Sequence, residues 1–128
     1  MTASATAVAL ALAAAQAAAD KQARDIVVLD VSERLVITDC FVICSAPNER
    51  LVNAIVKAVD ERLHGHGAKA VRREGEREAR WLLLDFVDVV VHVLHSEERE
   101  FYSLERLWKD CPRVPFVDSD SAEESAAR

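Results

Sequence analysis

The sequence predicts an α/β fold with one mixed β-sheet and helices packed on it. Three observations carry this: short β-branched runs without polar alternation, an amphipathic helix lying between two of them, and a late hairpin. Strands separated by a helix pair parallel and hairpin strands pair antiparallel, so a sheet holding both is mixed. At 128 residues, 51% hydrophobic and 30% charged, the chain has room for a single domain that buries its own core.

Residues 3–24 have alanine, the residue of highest helix propensity, at about half of their positions. They read as an N-terminal helix (residues 1–24) whose thin apolar stripe, Val8, Leu12, Ala15 and Ala19, lies on the domain surface. No Lys or Arg precedes the alanines, and alanine is only weakly apolar, which argues against a signal peptide or a membrane span. The α/β domain is expected over 25–112. Its first strand is Ile26-Val27-Val28-Leu29-Asp30-Val31, and the signature repeats in Val36-Ile37-Thr38 and Cys40-Phe41-Val42-Ile43-Cys44, so that both strands read as central. Ser45 or Asn48, flanking Pro47, supplies the N-cap of a helix marked by Leu51, Ile55, Ala58, Val59 and Leu63 and ended at His64-Gly65-His66-Gly67.

Ala68 to Val71 is a weak strand, and Arg72 to Arg80, of mixed charge, reads as a solvated loop. Trp81-Leu82-Leu83-Leu84-Asp85 and Val89-Val90-Val91-His92-Val93-Leu94 form the hairpin. A last helix is capped by Ser96, carries Phe101, Leu104 and Trp108 on one face, and stops at Cys111-Pro112. Residues 113–128 read as an acidic tail, disordered from about residue 117.

Sixteen Lys and Arg against twenty-two Asp and Glu give a net charge of −6, which opposes nonspecific binding to phosphate backbones. Three glycines cannot build a phosphate-cradling loop. Cys40, Cys44 and Cys111 are odd in number and suit small apolar roles in a reducing cytosol. His64 and His66 share a turn without a thiolate, and His92 and His95 fall on opposite faces of a strand, so no metal site is expected. Asp85 and Asp88 lack the nucleophile, oxyanion hole or phosphate clamp that catalysis requires.

Parity makes the hairpin informative. Trp81, Leu83 and Asp85 share a face, and a Val87-Asp88 loop pairs Asp85 with Val90 and Leu83 with His92. That collects an aromatic, an acid and a histidine on one side, a surface suited to a protein partner. The competing reading has a helix covering Trp81 and Asp85 capping locally. Tyr102 lies off the apolar stripe of the last helix, beside Arg99 and Glu105, as a surface residue or as an anchor for a partner.

Six stretches in this order resemble the ribosomal silencing factor, or Iojap-related, family: residues 25–31, 38–44, Glu74-Gly75, 81–85, 88–93 and 99–108. The matching residues run from 25 to about 112, leaving both ends outside the pattern. The resemblance implies a fold akin to nucleotidyltransferases without their catalytic signature; here the one Asp-x-Asp, Asp118 and Asp120, lies in the tail. It further implies binding to the large ribosomal subunit through its fourteenth ribosomal protein at the intersubunit face. Joining of the small subunit is thereby blocked and translation damped when nutrients are short. Carried over by position, the partner-binding residues are Trp81, Asp85, His92, Arg99, Tyr102, Glu105, Leu107 and Trp108. A cytoplasmic protein without cofactor, direct nucleic-acid specificity or membrane is expected, with a possible homodimer when free. The rival readings are a purely self-associating module and, on fold analogy alone, an enzyme holding a divalent metal on Asp85 and Asp88.

Overall fold

In chain order the elements are α1 (Ala5–Asp20), β1 (Arg24–Asp30), β2 (Cys40–Ala46), α2 (Glu49–Gly65), β3 (Arg72–Glu74), β4 (Trp81–Asp85), β5 (Val89–His95) and α3 (Ser96–Tyr102). This computed structural model describes residues 2–75, 80–102, 106 and 108–119. The strands form one sheet in the order β1-β2-β5-β4-β3, with β2 and β5 parallel and the other neighbours antiparallel. The α/β class and the mixed sheet are as the sequence predicts.

All seven residues of β2 and six of the seven in β5 are buried, which is why these central strands read as unbroken apolar runs. One sheet face presents Val28, Cys40, Val42, Cys44, Leu82, Leu84, Val89, Val91 and Val93 to α1 and α2. The other presents Leu29, Phe41, Ile43, Val90 and Leu94, with Trp81, Leu83 and Trp108 at its margin.

Helix α2 is capped by Asn48, whose side chain accepts the Leu51 N–H at 2.8 Å. Its buried stripe is Val52, Ile55, Val56, Val59 and Leu63, so the expected Leu51 and Ala58 flank the stripe rather than form it. The helix ends in a Schellman motif: Gly67, at φ +82°, donates to His64 O and Ala68 to Leu63 O.

Several sequence expectations change. The face that α1 buries is Ala7, Ala11, Ala14, Ala15, Ala17 and Ala18, all fully enclosed, while Val8, Leu12 and Ala19 are only partly covered. Alanine lets the helix axis approach the sheet and α2 closely, so the smallest side chains, not the largest, mark the core side. The start of α1 is pinned by carboxylates at the sheet end: Asp30 accepts from the Ala3 amide and Asp39 from the Ser4 amide, each at 2.9 Å.

Strand β1 is an edge, not a central strand. Its apolar run is explained by the C-terminal segment beside it, where Asp30 donates to Pro112 O and Val114 to Val28 O, both at 2.8 Å, around a Leu29–Arg113 bridge. Residues 113–119, expected in the tail, therefore lie against the domain, and the Ser119 amide reaches Gln16 Oε1 at 3.0 Å. Of the expected disordered segment, residues 120–128 lie outside those described.

Val36 and Ile37 belong to no strand and stand fully in solvent, while Leu35 beside them packs inward. The third strand is Arg72–Glu74 instead of Ala68 to Val71, and a charged, exposed strand suits a sheet edge that must not recruit another chain. At the start of α3 the acceptor for the Glu97 amide is His95 Nδ1 at 3.2 Å, and Ser96 is already helical. The expected continuation of this helix to Cys111 is interrupted by a turn over 108–110, closed by the Cys111 amide on Trp108 O.

Candidate functional site

The hairpin has the register that parity predicts, with Asp85 opposite Val90 and Leu83 opposite His92. Its two-residue turn is closed by Phe86 donating to Val89 O, and Val87, at φ 75°, is the central residue of a tight Asp88-to-Phe86 bond. Asp85 Oδ1 accepts the Val87 amide at 2.8 Å. Asp85 therefore has a local capping role, with its other oxygen 3.9 Å from Arg72.

Trp81, Leu83 and Asp85 are half-buried on the face opposite α1 and α2. Beneath them a row of rings crosses three strands and ends on the C-terminal segment. Trp108 meets Phe41 edge-on at 5.0 Å, Phe41 meets His92 at 4.8 Å, and His92 meets Trp81 at 6.1 Å. The Trp81 indole Nε1–H donates to His92 Nδ1 at 3.2 Å. Burial pushes the imidazole down to about 4, so at neutral pH it carries no charge and can accept that bond.

Arg80, the residue before β4, ties the strand carrying Trp81 to the end of β5 and to α3. The His95 amide donates to Arg80 O at 2.8 Å, and the Arg80 guanidinium reaches Glu98 at 2.8 and 3.0 Å and Glu97 at 3.2 Å. On the far side, the Gly75 backbone approaches Trp81 so closely that no side chain fits between them.

Of the residues carried over by position, Trp81, Asp85, His92 and Trp108 lie together on this face, and Arg99 follows on α3. His92 and Arg99 are enclosed, at 8% and 7% exposure, and so support the surface from below. Tyr102 falls on the last residue of α3, with its side chain outside those described; Glu105 and Leu107 lie outside the described residues altogether. Sequence reasoning did not place Phe41 here. Its position follows from the β2–β5 parallel register, which sets Phe41 opposite Val90 and which no local pattern reveals.

Two buried cysteines lie on the opposite face of the sheet, toward α1 and α2. Burial, reinforced by Asp30 and Asp39, pushes the Cys40 thiol up to about 11, and burial, opposed by the charge of Arg99, pushes Cys44 up to about 12. Neither supplies a thiolate at neutral pH. Among the described residues, no group of three or more His, Cys, Asp or Glu side chains is placed to hold a metal, and no helix is long and apolar enough to cross a membrane.

A family model described as "Ribosomal silencing factor during starvation" matches residues 4–128, so both chain ends, expected to fall outside the family pattern, fall within it. The chain is 42% identical over 93 residues to Ribosomal silencing factor RsfS of Bacillus subtilis, spanning 73% of this chain and 79% of that protein. It is 36% identical over 91 residues to Mitochondrial assembly of ribosomal large subunit protein 1 of Mus musculus, spanning 69% of this chain and 40% of that protein. A crystal structure of a Bacillus halodurans protein superposes with a TM-score of 0.71 at 38% identity, covering 81% of this chain and 94% of the other.

Proposed function

The chain belongs to the ribosomal silencing factor family, and from that premise we propose that it binds the large ribosomal subunit through the Trp81 face and keeps the small subunit away. The contact in this reading is the fourteenth ribosomal protein at the intersubunit face, and the outcome is repressed translation when nutrients are limiting. The mouse relative, whose name ties it to the ribosomal large subunit, supports the choice of subunit.

The observation that carries the proposal is the pairing of a half-buried indole with a leucine and a carboxylate on one strand face, backed by a row of rings in edge-on and tilted contact. Aromatic anchors on ordered elements are what binding hot spots are made of. A net charge of −6 attracts the chain to a basic ribosomal protein while repelling the RNA around it, so the landing site is set by the protein. The blocking step needs volume and no bond chemistry, and each 1.4 kcal/mol of binding raises occupancy about tenfold. The cytoplasm is the compartment this reading requires. Co-sedimentation with purified subunits tests it: the chain travels with isolated large subunits and is absent from joined ribosomes, whereas recovery with small subunits alone would overturn the proposal.

A further inference from the structure

We infer that His92 is a positioning residue for the binding surface: its neutral imidazole takes the Trp81 indole N–H on Nδ1 and fixes the ring that the partner meets. The inference rests on the reading of Trp81 as a partner contact.

An indole nitrogen only donates, so the 3.2 Å bond makes Nδ1 the acceptor and puts the imidazole proton on Nε2. That Nε2 is buried and has no hydrogen-bond partner among the described residues. A leucine or phenylalanine would fill the same space without stranding a donor, so the reason for a histidine lies at its other nitrogen. The ring is itself held: Phe41 packs edge-on against it at 4.8 Å, inclined by 66°, and Trp108 packs on Phe41. A fixed acceptor therefore meets the half-buried Trp81 at the first residue of β4. Holding the ring in place before the partner arrives removes part of the ordering cost of binding.

The test uses the full chain, labelled with nitrogen-15, and purified large subunits. In His92→Leu the Trp81 indole N–H resonance, assigned with Trp81→Phe, moves or broadens, and large-subunit affinity falls about tenfold. His92→Asn places an amide oxygen where Nδ1 was and restores both. His92→Gln places its amide near the Nε2 position and restores neither, which keeps the comparison decisive if the leucine variant does not fold. An unmoved indole resonance in His92→Leu, or equal behaviour of the Asn and Gln variants, overturns the inference. Wild-type affinity in Trp81→Ala instead overturns the surface reading on which the inference rests, and leaves the resonance comparison as the test of the hydrogen bond itself.

Discussion

Gly75 lies with its backbone against the carbonyl of Trp81, and a Cβ built on it would overlap that oxygen well inside van der Waals contact. Its φ of +81° is also one that other residues adopt only with strain. Gly75 directly follows β3 where the chain must pass Trp81 at close range, so the glycine sets how strand β3 seats against the strand that carries Trp81.

Gly75→Ala is therefore expected to destabilise the fold by about 3 kcal/mol, combining the left-handed penalty with overpacking against backbone that cannot yield. Urea unfolding followed by far-ultraviolet circular dichroism measures this. A change below about 0.5 kcal/mol would mean that β3 shifts freely and does not constrain Trp81.

Acid sensitivity should follow from His92. Its folded value of about 4 lies below its ordinary 6.5, so the unfolded chain takes up a proton first. Stability is thus full above pH 6.5, falls as pH drops from there, and has lost about 3 kcal/mol from this residue by pH 4. Asp30 acts in a lower window. Burial raises its carboxyl, but bonds from Ser32 and the Ala3 amide outweigh that and hold it below 3.8, so its contribution is lost only as pH falls below that value. Unfolding free energies at several pH values, compared between wild type and His92→Asn, separate the two windows. An unchanged slope between pH 6.5 and 4 in the variant would contradict the assignment.

The alanine face of α1 makes a sharper packing prediction than any large side chain in that helix. Ala14→Leu forces a branched side chain into a fully enclosed position and should cost about 1–3 kcal/mol. Ala9→Leu, on the exposed side, should stay within about 0.5 kcal/mol of wild type. Denaturant midpoints for the pair check this. Equal effects would mean that α1 does not dock through Ala7, Ala11, Ala14 and Ala18.

The hairpin was legible in the sequence down to its register because one turn of two residues fixes every cross-strand pair, and alternation then fixes the faces. The caps of α2 were legible for a similar reason, since Asn48 and Gly67 act on backbone groups only a few residues away. What escaped was non-local. Leu29 meets Arg113 from the far end of the chain, and Phe41 joins the surface only through a parallel pairing closed by a long crossover. The alanines of α1 escaped for a different reason. Ranking positions by side-chain size hides a helix that is buried because its side chains are small.

Joining of purified ribosomal subunits in the presence of saturating protein, read by sucrose-gradient sedimentation, tests the central claim most directly. The wild-type chain should hold the subunits apart. Trp81→Ala, folded by circular dichroism, should need about thirtyfold more protein to do so, the equivalent of about 2 kcal/mol lost from a hot spot. Subunits that join equally well with and without the wild-type chain, or a Trp81→Ala variant that blocks joining at the wild-type concentration, would contradict it.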